Sequence, residues 1–176
     1  LREHHDALRL RFTRVAGGRW LQEGQGVEGV FPLEVVDLST VPVEARRAAV
    51  EEHSARTQAG LDLASGGIAK AVLFELGPDV PQELLIVIHH LAVDAVSWRV
   101  LLEDLLTAWQ RIRAGEAARL PAKTLSYQAW AARLLAQAGS PSLREEAAFW
   151  LGLPWERAGR LPRDFEGGAP NTEGAA

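Results

Sequence analysis

The sequence predicts an α/β protein, more specifically an α+β two-layer sandwich in which helices pack on one face of a mixed sheet. Three observations lead to this prediction: a hairpin pattern near the start, apolar strands in the middle, and amphipathic helices after them. The chain has 176 residues, of which 47% are hydrophobic and 24% are charged, as in an ordinary globular protein. At this length we expect one domain with a sizeable core.

The first part of the chain predicts a helix end and three short strands. The first eight residues have the pattern of the last turns of a helix. Leu10 and Phe12 then alternate with arginines, which is the period of a half-buried strand. Gly17-Gly18 predicts a turn into a second strand around residues 19–22, and residues 31–36 predict a third extended segment.

A charged helix follows the third strand. Alternating charges over residues 44–56 predict this helix, with Ser39 or Thr40 as its N-cap. Gly60 is placed to end it, because glycine is common just after the last turn of a helix.

Two strands in the middle of the chain have the clearest patterns. They are predicted at residues 68–76 and at Glu83–Ile88, with a Gly-Pro-Asp turn between them. Since residues 84–88 are all apolar, we expect the second strand to be covered on both faces.

The second half of the chain predicts three helices. The first begins near Ala95, carries apolar residues at helical spacing, and ends at Gly115. Two more are predicted at Tyr127–Ala138 and at residues 143–151.

Several side chains on these elements have a structural interpretation. Trp98 and Trp109 lie on the apolar face of their helix, so both are expected in the core. Asp104, with its neighbour Glu103, is expected on a solvated face. The sequence suggests no partner for His5 or for the other histidines outside the central pair.

Composition excludes several classes of function. The net charge of −4 provides no basic surface for nucleic acid and no cationic face for lipid. No apolar run reaches the roughly 18–20 residues that span a bilayer, so we expect no membrane association. The chain has no cysteine, which excludes disulfides and thiolate chemistry and fits a cytoplasmic protein.

The segment HHLAVDAVSW at residues 89–98 is the strongest candidate site. His89 and His90 leave the second apolar strand just before a helix begins, so two regular elements hold them in place. Adjacent residues at a strand end point to opposite sides, and therefore only one histidine can face a given cleft. Asp94 can cap the helix or pair with a buried cation, for which Arg9 is a plausible partner.

Two other interpretations of this segment remain open. A histidine pair at a strand end is often structural, with its ring nitrogens satisfied by the backbone. His90 and Asp94 are spaced to share a metal ion, but a third ligand is not evident, so no metal site is expected here.

HHLAVDAVSW resembles the HHxxxDxxSW signature of the condensation-domain superfamily of nonribosomal peptide synthetases. The following residues, RVLLEDL, are most similar to the epimerization branch of that superfamily. The resemblance extends over nearly the whole chain and includes HHDALRLRF at residues 4–12, where His4 stands in place of the usual arginine. The fold it implies is one lobe of the chloramphenicol-acetyltransferase-like architecture.

The resemblance also implies roles for individual residues. His90 matches the catalytic histidine, which would invert the Cα of a carrier-bound aminoacyl or peptidyl thioester from L to D. The supporting residues are expected to be His89, Arg9, Asp94, Ser97 and Trp98, with Asp94 paired to Arg9. Ala95 departs from the family's usual glycine, which puts full activity in doubt.

The resemblance further implies an organisation and a set of partners. Residues 1–165 are expected to form the N-terminal lobe, incomplete at its start, and residues 166–176 a linker toward a missing C-terminal lobe. That second lobe is expected to supply a glutamate opposite the histidine, so this segment alone should be inactive. The other implied partners are a peptidyl carrier protein, whose phosphopantetheine arm carries the substrate, and adjacent synthetase modules; no cofactor is expected to bind directly.

Two alternatives to epimerization stay open. The segment could belong to a condensation domain, in which the same histidine assists attack of an acceptor amine on a thioester. It could also be a non-catalytic fragment that docks carrier protein. The Ser97-Trp98 order and the LLEDL helix favour epimerization.

Overall fold

The computed structural model describes residues 1–27, 33–159 and 162. It divides into two compact units, Leu1–Tyr127 and Gln128–Ala176. The candidate site lies entirely in the first unit. The predicted division at residues 165 and 166 stays a prediction, since residues 166–176 lie outside the described part.

The first unit opens with a hairpin. Strand β1 (Leu10–Arg14) pairs antiparallel with β2 (Trp20–Gly24). The connection passes through Gly17 and Gly18, whose φ angles of 77° and 74° lie in the left-handed region that glycine adopts without strain. The predicted hairpin is therefore confirmed.

The predicted helix end before the hairpin is wrong in type. A turn over the first residues leads into a short 3-10 helix, Asp6–Arg9. Its N-cap, His5, is extended. The carbonyl groups of Arg2 and Glu3 accept hydrogen bonds from the Arg9 guanidinium, so the side chain satisfies groups that a regular helix would pair internally.

A three-stranded mixed sheet follows, in the order β3 (Leu33–Asp37), β4 (Ala69–Glu75), β5 (Glu83–Ile88). β3 and β4 are parallel, and β4 and β5 are antiparallel with Ala69 opposite Ile88. The predicted mixed sheet and the strand at Glu83–Ile88 are confirmed. Part of the predicted third strand, residues 31 and 32, lies outside the described residues.

Helix α1 (Val43–Ala59) connects the two parallel strands. Pro42, not Ser39 or Thr40, occupies its N-cap, and no side chain caps it. Ser39 instead donates its backbone N–H to the Asp37 carboxylate, 2.8 Å away, in a local turn. Gly60 ends the helix as predicted. α1 covers the sheet through a core formed by Leu38, Val50, Val72, Phe74 and Leu76.

The prediction that β5 is covered on both faces is wrong for the described residues. β5 lies at one edge of the three-stranded sheet. Leu84 is 48% exposed, and the rest of the apolar run is only half-buried. An apolar run indicates a segment that avoids water, but it does not identify what covers it.

Helix α2 (Ala95–Arg113) supports the candidate site. Its residue Leu101 joins a second core with Leu8, Phe12, Ile68, Ala69 and Val93, and Trp98 packs against this core as predicted. Trp109 does not: it is 50% exposed, and the Arg113 guanidinium lies 4.8 Å from its ring centroid. Gly115, with a φ of 78°, follows the helix end as predicted.

Most described residues of the second unit lie in two helices. Helix α3 spans Tyr127–Ala138, and α4 spans Pro141–Leu151 with the Ser140 hydroxyl accepting from the backbone N–H of Leu143. Both helices were predicted. None of the helices among the described residues combines the length and the apolar character of a membrane-spanning segment.

Candidate active site

The backbone of the histidine pair is fixed on both sides. The N–H of His89 donates to the carbonyl of Ile68 at 2.9 Å, so the ladder between β5 and its neighbour continues one residue beyond the strand. The carbonyl of His89 then accepts from the N–H of Ala92 at 2.9 Å, which closes a turn. His90 therefore lies in a tight turn at the end of the sheet.

The two imidazole rings have different surroundings. Nδ1 of His89 accepts a hydrogen bond from the backbone N–H of Leu91 at 3.2 Å, and the residue is half-buried. This bond requires a lone pair on Nδ1, which places the ring proton of neutral His89 on Nε2. His90 is exposed. It is therefore the more solvent-accessible member of the pair.

Asp94 is the N-cap of α2. Its backbone is extended, and its Oδ1 accepts from the backbone N–H of Ser97 at 2.7 Å and from the Ser97 hydroxyl at 2.6 Å. These bonds from Ser97 hold the pKa of the Asp94 carboxyl below its usual value. The cap predicted from the sequence is present, and Ser97 provides both hydrogen bonds to the Asp94 carboxylate.

The predicted pairing of Arg9 with Asp94 is wrong. Arg9 is buried, and its guanidinium donates to the carbonyls of Gln25 and Glu3, each at 3.0 Å, to the carbonyl of Arg2, and to the Asp6 carboxylate at 2.6 Å. Local carbonyl groups satisfy this cation, while the carboxylate of Asp94 is engaged at its own helix. Arg9 therefore ties the opening turn to the hairpin.

Arg9→Met is expected to lower the free energy of unfolding by about 1.5–3 kcal/mol, the contribution of hydrogen bonds to a charged group. The matched control is Arg11→Met, since Arg11 forms a half-exposed ion pair with Glu23 at 2.9 Å. Its expected cost is below about 1 kcal/mol. Urea unfolding followed by circular dichroism measures both. Equal losses would contradict the structural role of Arg9.

One pair of titratable residues near the site was not anticipated. Nε2 of His5 lies 2.9 Å from Oδ2 of Asp104, whose side chain is only 13% exposed, so the predicted solvated position of Asp104 is wrong. Burial lowers the pKa of His5, and the Asp104 charge partly opposes this effect. A local sequence signal existed for the burial of Asp104 alone, because Asp104 stands three residues after the buried Leu101 on the same helix face; no such signal indicated its contact with His5.

A shallow cleft of about 270 Å³ lies beside this pair. Its polar lining consists of His5, Asp94 and Ser97, and its apolar lining is Ala7, Leu8, Ala92, Val96, Val100 and Leu101. His90 does not line this cleft, so the exposed histidine and the cleft are separate features of the first unit.

A family model described as "Condensation domain" matches residues 1–172. The chain belongs to the condensation-domain family. Its relatives include large nonribosomal peptide synthetases. One protein of the linear gramicidin synthase from Brevibacillus parabrevis is 48% identical over 149 residues, which are 84% of this chain and 2% of that protein. Another protein of the same synthase is 45% identical over 170 residues, or 97% of this chain and 3% of that protein.

Among solved structures, the epimerization domain from the third module of tyrocidine synthetase B is 34% identical. Its TM-score is 0.80, and the match covers 93% of this chain and 37% of that chain. The predicted fold, a lobe of the chloramphenicol-acetyltransferase-like architecture, is thereby confirmed. This condensation-family chain thus spans a small part of its curated relatives and about a third of the solved epimerization domain.

Proposed function

We propose that this condensation-family segment is part of an epimerization domain that inverts the Cα of an aminoacyl or peptidyl thioester, with His90 as a catalytic acid/base. The observation that carries the proposal is the placement of His90. Its ring is exposed at the end of a sheet, directly after a residue whose backbone is hydrogen-bonded on both sides. At such a position a large substrate can reach the side chain, and the backbone that carries the side chain is held in place.

The chemistry suits an imidazole. The Cα proton of a thioester is weakly acidic, and imidazole exchanges protons near neutral pH. His90 would take this proton as the C–H electron pair moves toward the thioester carbonyl, giving an enolate. Return of a proton to the opposite face of the carbon restores the thioester with inverted configuration. Atoms and electrons balance without an oxidant or reductant.

Proton return and enolate stabilisation need further groups. Asp94 is a poor candidate, because its Oδ1 already accepts two hydrogen bonds from Ser97. We therefore assign the opposite-face group to a glutamate in the second lobe of the domain, as the family resemblance implies. The proposed partners are this lobe, adjacent synthetase modules, and a carrier protein whose phosphopantetheine arm holds the substrate.

The second candidate function is peptide-bond formation. It is favoured by the family match itself, which is to the condensation domain. In that reaction His90 would assist attack of an acceptor amine on the donor thioester, and the Cα hydrogen would stay in place. The fate of the Cα hydrogen therefore separates the two functions.

Hydrogen exchange tests the proposal directly. A synthetase that contains this segment is supplied with an L-aminoacyl or L-peptidyl carrier protein in deuterated buffer. We expect deuterium to enter Cα and the D-epimer to accumulate, as measured by mass spectrometry and chiral chromatography after thioester cleavage. Peptide elongation without exchange would reject epimerization in favour of condensation. Carrier binding with neither reaction would reject both in favour of a docking role.

A further inference from the structure

We propose that His4, His5 and Asp104 form a binding site for a single Zn²⁺ ion, separate from His90. Each of the three side chains offers one ligand atom, and these atoms all lie within 4.8 Å of one another. Nε2 of His5 and Oδ2 of Asp104 lie 2.9 Å apart. The site joins the turn before the 3-10 helix to the middle of α2.

The backbone holds these ligands in place. The N–H groups of His4 and His5 both donate to the carbonyl of Leu1, at 3.0 and 2.8 Å, which fixes the turn that carries the two imidazoles. Asp104 lies on α2 one turn from Leu101, and Leu101 packs with Leu8 in the core. The ligands therefore come from two elements that the core already holds together.

The state of His5 points to a ligand. Its Nε2 is buried and has no partner with hydrogen-bond geometry, although the Asp104 carboxylate is near. A buried imidazole nitrogen that faces a carboxylate without a well-formed hydrogen bond requires an explanation, and a bound ion is one of the accepted ones. The rings of His4 and His5 lie edge to face with their centroids 4.9 Å apart. The imidazole of His4 is therefore next to that of His5 at the proposed metal site.

The geometry fits zinc after small movements of the side chains. Zn–N and Zn–O bonds of about 2.0–2.2 Å put the ligand atoms of a tetrahedral site roughly 3.3 Å apart. Binding requires the widest pair of ligand atoms, now within 4.8 Å, to approach by at most about 1.5 Å. The adjacent cleft of about 270 Å³, which His5 lines, is large enough to hold a water molecule.

The donor set favours Zn²⁺ over hard cations. Two imidazoles suit Zn²⁺, whereas Mg²⁺ and Ca²⁺ prefer sites made of oxygen ligands. Two histidines and one carboxylate also match the ligand set of non-haem iron sites, so the experiment includes Fe²⁺.

Calorimetric titration of ZnCl₂ into the untagged, metal-free chain tests the site. We expect one Zn²⁺ per chain, with affinity reduced about tenfold or more in His4→Gln and in Asp104→Asn, since loss of even an outer-shell partner costs about 10–100-fold. Substituting Co²⁺ should give the strong visible absorption of a tetrahedral site. The matched control is His53→Gln on α1, whose Nε2 contacts Glu34 at 3.2 Å and which should bind like the parent.

Three outcomes would overturn the proposal. They are an absence of Zn²⁺ binding, unchanged affinity in both ligand variants, and tighter binding of Fe²⁺ than of Zn²⁺ under anaerobic conditions. Circular dichroism of each variant shows whether it is folded. Because His4 is half-buried at the chain surface and is not a core residue, the His4→Gln chain should retain the parent spectrum, so its loss of affinity reports on the ligand itself.

Discussion

Replacing His90 with alanine in a synthetase that contains this segment is expected to lower the rate of Cα hydrogen exchange about 10²–10⁴-fold, the usual contribution of a general acid or base. The side chain is exposed, so its removal should leave the fold intact. The loss should appear in kcat, because the missing proton transfer belongs to the chemical step.

The control for this variant is His53→Gln. His53 lies on α1, where it contacts Glu34 and Arg56 and is remote in the chain from the histidine pair. This variant should exchange Cα hydrogen like the parent. Full exchange in His90→Ala would remove His90 from the mechanism while leaving epimerization itself in place. Loss of exchange in both variants would instead indicate a general effect on the fold.

Ile68→Ala is expected to lower the free energy of unfolding of this chain by about 2–5 kcal/mol, the cost of truncating a fully buried isoleucine to alanine. Ile68 has a relative exposure of 0%, packs against Val93 and Leu101, and accepts the backbone hydrogen bond from His89. The truncation leaves a cavity beneath the turn that presents the proposed base. Urea unfolding followed by circular dichroism measures the loss.

The same chemical change at Ile112 provides the matched control. Ile112 lies on α2 with 61% of its surface exposed, and alanine is the better helix former. Ile112→Ala should therefore change the free energy of unfolding by no more than about 0.5 kcal/mol. Similar losses at both positions would contradict the packing described around Ile68.

The features that the sequence predicts well are local. The bounds of β5 and α3 follow from runs and periodicities within a few residues, and so does the cap that Asp94 makes for α2. The turn at Gly17 can be predicted equally well, because a positive φ angle depends on the glycine itself and not on distant contacts. These patterns placed the candidate site between a strand and a helix.

The features that the sequence predicts poorly depend on contacts between distant segments. His5 and Asp104 meet across nearly the whole first unit, which no local pattern reports. Arg9 was predicted to pair with a carboxylate far along the chain, whereas backbone carbonyl groups accept its hydrogen bonds in the structure. Trp109 shows the same limit, because the apolar face of a helix does not show which of its residues another element covers.

His89 makes the final hydrogen bond between β5 and the neighbouring backbone, so the end of the sheet determines which of the two histidines lies beyond the paired residues. Sheet side chains alternate with a period of two. Insertion of one residue after Ile88 would place the inserted residue in the last paired position and shift both histidines outward along the chain. The exposure of His90 thus depends on its position relative to the end of the sheet, because both neighbouring residues have the same imidazole side chain.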